Sequence, residues 1–124
     1  MHRYETHVRP PAPFLEIQVI HPVTGITHQW PAKLDTGAAL TILPEKVVDA
    51  LVLSPKSEAI IYGYDGIAAI RPLYYVNLKV AGHSLSSVRV SSSKRSDVLL
   101  GRDVLNHFVL TLNGKDLTFQ LEDP

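Results

Sequence analysis

Alternation of apolar and polar side chains with a period of two, broken at short intervals by turn-forming residues, constrains this chain more than any other feature. In the stretch FLEIQVIHPVTGITHQWPAKL, residues 14–34, apolar side chains recur at nearly every second position on either side of His21-Pro22-Val23-Thr24-Gly25. A period of two lays one set of side chains along one face of a strand. The pattern predicts strands over about 14–20 and 26–34, joined at the Pro- and Gly-bearing turn between them.

The same pattern continues to the end of the chain. The arms of EAIIYGYDGIAAI flank Asp65-Gly66, and those of VLTLNGKDLTFQLE flank Asn113-Gly114, both strong short-range hairpin signals. LYYVNLKVAGHSLSSVRV reads as two further strands, residues 40–43 as a short one, and DVLL as another that ends at Leu100. Pro44-Glu45 suits the first turn of a short helix carrying Val47, Val48 and Leu51, because Pro fits a first helical position and Glu favours the positive helix end. A second short helix is expected after Gly101, with Val104, Leu105 and Phe108 on one face. Residues 91–96, rich in serine, read as a solvated loop with Lys94 and Arg95 exposed. Residues 1–13 are polar and end in Pro10-Pro11-Ala12-Pro13, which opposes regular pairing. They are expected to form an N-terminal extension or arm, with one domain over 14–124. A length of 124 residues suits one core and is short for two. The expected class is all-β with one or two short helices.

Several function classes are disfavoured. Twelve basic residues balance twelve acidic ones, so no bulk field draws the chain to nucleic acid or to an anionic membrane. Cysteine is absent, which removes thiol nucleophiles and thiolate metal sites and suits a reducing compartment. The first residues have no apolar stretch of signal-peptide length, and no run approaches membrane-spanning length, so a cytoplasmic location is expected. The six histidines show no HExxH-like spacing, and His21 and His28 are expected as a surface pair across the first hairpin; no metal and no organic cofactor is anticipated. No serine sits in a Gly-x-Ser-x-Gly elbow.

One polar turn stands out. In KLDTGAALTILP, residues 33–44, Asp35-Thr36-Gly37 is walled on both sides by apolar residues, and Leu99-Leu100-Gly101-Arg102-Asp103 follows later, ahead of the second helix. With a strand running into Asp35-Thr36-Gly37-Ala38, a Gly-bearing hairpin at 61–67, and two apolar residues before Gly101, the chain resembles the retropepsin-like aspartic proteases. That single-domain family includes retroviral proteases and cellular or bacterial relatives. The resemblance runs over about residues 14–121 in the family's order.

The resemblance implies a closed β-barrel of the acid-protease type with a flap hairpin. It implies an aspartic endopeptidase acting on peptide or protein substrates, with Asp35, Thr36 and Gly37 as the catalytic motif. Thr36 would tie paired active-site turns together through its hydroxyl. Gly37, Ala38 and Ala39, together with Tyr62, Gly63, Tyr64, Asp65 and Gly66 of the flap, would contact substrate. Leu99, Leu100, Gly101 and Arg102 form the family's second signature. Peptide hydrolysis by water needs a base and an acid, which two carboxylates sharing one proton supply. This chain carries a single Asp-Thr-Gly, so that chemistry requires a homodimer. A dimeric peptide-binding or scaffold module of the same fold, catalytically silent, is the alternative. Two departures accompany the resemblance. Ala39 stands where retroviral members usually carry an Asp that pairs with the Arg of the Gly-Arg signature, which leaves Arg102 without its usual partner. The flap also has Tyr64-Asp65 between Gly63 and Gly66 in place of a run of glycines.

Overall fold

In a computed structural model, which describes residues 1–63 and 65–123, the alternating segments become ten strands and two short helices. In chain order these are β1 (His2–Arg3), β2 (Phe14–Ile20), β3 (Thr27–Leu34), β4 (Ile42–Pro44), α1 (Glu45–Leu51), β5 (Ser57–Tyr62), β6 (Ala68–Val80), β7 (His83–Ser93), β8 (Val98–Leu100), α2 (Arg102–Leu105), β9 (Val109–Asn113) and β10 (Thr118–Glu122). One sheet runs β2-β3-β8-β4-β7-β6-β5, and a further pairing of β2 with β6 closes six of its strands into a mixed barrel. Closure gives β2 a partner on both sides and leaves β5 as the edge of this sheet. A second sheet, β1-β10-β9, lies beside it.

The inward face of each strand builds the core. Ile17 and Val19 of β2, Ala32 and Leu34 of β3, Val76, Leu78 and Val80 of β6, Val90 of β7, and Val98 and Leu100 of β8 are all buried. Helix α1 turns Val47, Val48 and Leu51 into the same core, and α2 adds Val104 and Leu105. Phe119 and Leu121 of β10 join the cluster, so both sheets share one hydrophobic interior.

Most pairs in the barrel are antiparallel, and two are parallel. Strand β3 runs parallel to β8 with Lys33 opposite Leu99 and Leu34 opposite Leu100. Strand β4 runs parallel to β7, Ile42 opposite Ser91. The first of these pairings sets the site, because it brings the residues that follow Leu34 alongside those that follow Leu100.

Three local expectations are corrected. Residues 91–93 belong to β7, and Ser91 and Ser92 are buried. Their small hydroxyl side chains fit where β4 lies against β7, and the Ser91 hydroxyl donates to the Pro72 carbonyl at 2.8 Å, which satisfies it inside the core. The hairpin arm Ala68–Ile70 and the segment LYYVNLKV form one thirteen-residue strand, β6. Pro72 does not break it, since it stands opposite Glu58 of the short edge strand β5 and its carbonyl is taken by Ser91. His21 does not pair with His28, which stands opposite Val19. Its Nδ1 accepts hydrogen bonds from the backbone N–H groups of Val23 and Thr24 and so holds the 21–25 turn.

Residues 1–13 are stitched to the rest of the chain. His2 pairs with Phe119 and Arg3 with Thr118. Tyr4 N–H donates to the Leu117 carbonyl, Glu5 bridges to Ala12, and Leu34 N–H donates to the Pro13 carbonyl. The His2 ring stacks on Phe119 with centroids 5.0 Å apart.

That stacking makes the attachment of β1 pH-sensitive. Burial, followed by the nearby N-terminal ammonium, lowers the His2 pKa from its ordinary 6.5, so the docked strand prefers the neutral ring. For a histidine whose pKa is depressed on docking, the stabilisation is complete above 6.5 and is lost as pH falls through the docked value. Amide exchange of Thr118 and Phe119, corrected for the intrinsic rate, is expected to show weaker protection at pH 5 than at pH 7.5. Equal protection at the two pH values, or the same pH dependence in His2→Phe, would contradict this.

Candidate active site

Parallel pairing of β3 with β8 delivers two turns to one place. Beyond Leu34 the chain enters Asp35-Thr36-Gly37; beyond Leu100 it enters Gly101-Arg102-Asp103. The Asp35 N–H donates to the Leu100 carbonyl at 2.9 Å, which continues the ladder by one more bond. The turn then closes on itself. Gly37 N–H donates to Asp35 Oδ1 at 2.8 Å, and Ala38 N–H to the Asp35 carbonyl at 3.2 Å. An Asp side chain that accepts from the backbone two residues on is the ordinary way such a turn is held, and it fixes the rotamer of the carboxylate.

Gly101 lets the second turn approach. A Cβ built on it would stand 2.9 Å from the Ala38 carbonyl oxygen, 2.9 Å from the Leu40 carbonyl carbon and 3.0 Å from the Leu40 oxygen, all backbone atoms. Side chains at position 101 are therefore excluded by sterics. Its neighbours add cross-ties. Arg102 N–H donates to the Ala38 carbonyl at 2.8 Å, and Arg102 Nη1 to the Thr36 carbonyl at 2.9 Å. With Ala39 in place of an aspartate, the guanidinium has taken a main-chain acceptor from the Asp-Thr-Gly turn itself. Arg102 thus ties the two signatures together.

A buried relay lies underneath. The Thr41 hydroxyl donates to Asp103 Oδ1 at 2.7 Å and accepts from the Gly101 N–H at 3.1 Å, while Thr41 N–H donates to Asp103 Oδ2 at 3.0 Å. Thr41 is fully buried, so each of these bonds satisfies a group that has no access to water. The Asp103 carboxylate serves here as an acceptor that braces Thr41. Sequence reasoning passed over Thr41. Its signal was a single hydroxyl in the apolar run Ala38 to Leu43.

Above the turn stands the hairpin of β5 and β6. Ile60 pairs with Ile70 and Tyr62 with Ala68, and Gly63, Asp65, Gly66 and Ile67 lie between the paired arms. Gly63 N–H donates to the Ile67 carbonyl, Gly66 N–H to the Gly63 carbonyl, and Ile67 N–H to Asp65 Oδ1. Gly66 has φ +76°, a conformation that favours glycine. Tyr64, expected to contact substrate, lies outside the described residues.

Between the hairpin and the two turns opens a cleft of about 720 Å³. Its floor is Asp35, Gly37, Ala38, Ala39 and Leu40, and its hairpin wall is residues 59–63. Ile42, Leu99 and Arg89 complete it. Of the residues expected at the site, Asp35, Gly37, Ala38, Ala39, Tyr62, Gly63 and Leu99 line this cleft. Thr36, Gly101 and Arg102 stand behind it, Leu100 is in the core, and Asp65 and Gly66 shape the hairpin loop. The volume lies within the range of sites that accept small organic groups or several side chains of an extended peptide. Among the described residues, no group of three or more histidine, aspartate or glutamate side chains is arranged to hold a metal ion.

A family model described as gag-polyprotein putative aspartyl protease matches residues 26–107. No curated protein matches the sequence. Among solved structures, a retropepsin-like aspartic protease from Rickettsia conorii superposes with a TM-score of 0.65 at 16% identity, over 97% of this chain and 87% of that one. The simian foamy virus protease gives 0.57 at 23% identity over 76% of this chain and 92% of its own. The EIAV protease, solved in complex with the inhibitor HBY-793, gives 0.59 at 21% over 79% and 88%. At these identities the structural likeness is one of fold.

The cross-ties make two stability predictions. Gly101→Ala is expected to cost at least about 1–3 kcal/mol, since the added carbon meets backbone that cannot rotate away. Thr41→Val removes the hydroxyl and leaves the Gly101 N–H unpaired in the interior, while Asp103 Oδ1 keeps only its bond from the Val104 N–H, at about 1–3 kcal/mol, whereas Thr41→Ser retains both bonds of the hydroxyl. Urea denaturation followed by tryptophan fluorescence checks each. Wild-type midpoints for Gly101→Ala or Thr41→Val would refute the packing described.

Proposed function

The chain belongs to the retropepsin-like aspartic protease family, and from that membership we propose that it is an endopeptidase in which Asp35 of two copies activates a water molecule against a peptide bond. The observation that carries the proposal is the placement of the only Asp-Thr-Gly turn on the floor of a largely apolar cleft, braced by Gly101 and Arg102.

The chemistry follows from what one carboxylate lacks. In a pair sharing one proton, the ionised member takes a proton from water as the water oxygen bonds to the peptide carbonyl carbon. The protonated member hydrogen-bonds to the carbonyl oxygen, on which charge develops. When the C–N bond breaks, a proton passes to the leaving nitrogen. Asp35 is the single aspartate of its kind in the chain, so the second carboxylate comes from a second copy related by twofold symmetry. Thr36 fits a role across that axis. Its carbonyl is engaged by Arg102, and among the described residues its hydroxyl makes no hydrogen bond within the chain.

Gly37, Ala38 and Ala39 offer substrate a floor without bulky side chains, and the hairpin of β5 and β6 acts as the flap. Residues 60–63 of the flap close over the peptide, with the tip at 64–66 taking part in its contacts. The domain extends over 14–124, with residues 1–13 as an arm. Neither metal nor organic cofactor enters the reaction, and its setting is the cytoplasm.

Asp35→Asn keeps the size of the side chain and removes the shared proton. It is expected to abolish cleavage of a diverse peptide library read by mass spectrometry while leaving a folded protein. Cleavage persisting in the purified variant would reject the dyad. Specific activity of the wild type should fall on dilution in step with dimer dissociation measured by ultracentrifugation. A fully active monomer would overturn the one-aspartate-per-copy mechanism. Activity should also be bell-shaped in pH, lost when both members of the pair are protonated and again when both are ionised. Ala38→Ser places a hydroxyl donor beside the ionised form and should move the profile to lower pH; a shift to higher pH would count against that placement.

A further inference from the structure

Among the described residues, Arg89 is the one cation that lines an otherwise apolar or acidic cleft. The described lining residues carry two charged side chains, Asp35 on the floor and Arg89 on the wall. Around them stand Ala38, Ala39, Leu40, Ile42, Ile60 and Leu99. Strand β7 sets the direction of Arg89. Val90, next in sequence, is fully buried, and alternation along the strand turns Arg89 to the other face. Its cross-strand neighbour is Tyr75, which brings no carboxylate to pair with it. Among the described residues the Arg89 side chain makes no ion pair and no hydrogen bond, whereas Arg95 is paired with Asp97 at 2.8 Å and Arg102 with the Thr36 carbonyl. A guanidinium beside apolar walls presents a planar fork of donors that matches a carboxylate bidentately.

Position follows from register. Arg89 lies two residues before Ser91, which stands opposite Ile42, which in turn stands opposite Leu99. At about 3.3 Å per residue along a strand and about 4.8 Å between strands, the Cα of Arg89 is roughly 12 Å from that of Leu99. Leu99 precedes the carbonyl that fixes Asp35. Asp35 lies one strand further still, since β3 pairs with β8, and an extended peptide advances about 3.3 Å per residue, so a group held at the end of the long Arg89 side chain falls roughly three to four residues from the bond at Asp35.

We propose that Arg89 is a specificity-determining residue of the cleft, and that it selects extended peptides whose carboxylate lies three to four residues from an apolar cleavage point. The proposal rests on the endopeptidase reading above for the meaning of that cleavage point. The carboxylate belongs either to an internal Asp or Glu side chain or to the peptide's own C-terminus; the two share one chemistry.

Blocked peptides with a central apolar pair, and Glu or Gln placed three or four residues to either side, separate these sources from a second series that is neutral but ends in a free carboxylate at the same distances. The wild type is expected to favour Glu over Gln, or the free over the amidated end, by about tenfold in kcat/KM at one of these positions, with the ratio shrinking at high salt. In Arg89→Gln the ratio should collapse toward one, in Arg89→Lys it should partly survive, and in Arg89→Glu a Lys-bearing peptide should become the preferred one. Discrimination confined to one series identifies which carboxylate is read. A wild-type ratio near one in both series, or a ratio unchanged in Arg89→Gln, overturns the proposal. The same peptides, fluorescently labelled, are titrated into Asp35→Asn by anisotropy. Should the wild type cleave no peptide at all, the protease reading falls, while the binding ratio between Glu and Gln peptides still decides the role of Arg89. Equal binding of the two would reject it.

Discussion

Where the backbone of Gly101 passes residues 38–40 there is no room for a single extra carbon, and the floor of the cleft depends on that approach. Parallel pairing of β3 with β8 brings the two turns together, but pairing alone would leave them a side chain apart. With glycine at 101 the main chains meet, and Arg102 and Asp103 are carried into hydrogen-bonding range of Thr36, Ala38 and Thr41. The result is a carboxylate whose loop is held from behind by main-chain and buried polar contacts, leaving its open side to the cleft. Rigid support of this kind lets a catalytic group keep its geometry without contacts on the substrate side.

Charge is sparing at this site. The cleft is lined mainly by small and aliphatic side chains, with Asp35 and Arg89 as its charged members. Apolar surroundings strengthen whatever electrostatic contacts a bound ligand makes and keep water from competing for them. Affinity would come from side chains filling an apolar trough, and orientation from the few polar groups placed in it. The backbone-rich floor, Gly37 to Ala39, adds room for a peptide main chain to lie close.

Much of this was legible in the sequence because the relevant signals are local. Asp35-Thr36-Gly37 and Leu99-Leu100-Gly101 are short stretches whose residue types dictate backbone geometry, and Asp65-Gly66 declares its hairpin in the same way. Pro44-Glu45 likewise marks the start of α1. Features created by distant contacts were hidden. Nothing near Leu34 announces that β8 will run parallel to it. The bond from Thr41 to Asp103 joins residues 62 apart, and neither residue type carries a mark of that partnership. Residues 91–93 read as solvated because serine is common in loops, yet a hydroxyl with a carbonyl to bond is readily buried, as the contact of Ser91 with Pro72 shows. Arg102 lacked an acidic partner in the sequence, and its acceptor is a carbonyl, which no side chain reveals.

The long reach of these contacts bears on the order in which the chain acquires its parts as it is made. A nascent chain that has exposed residues 14–62 holds Asp35, β2, β3 and α1, but not the strand on which Asp35 rests. The Leu100 carbonyl, the Gly101 main chain and the Asp103 carboxylate are all synthesised some sixty residues later, the span from Thr41 to Gly101 being 60. Closing so long a loop is slow compared with local turn formation. During vectorial synthesis, the Asp-Thr-Gly turn is therefore present well before it is set. The cleft assembles only after residues 98–103 have emerged, so the Asp-Thr-Gly turn waits on some sixty further residues before its candidate catalytic floor can form.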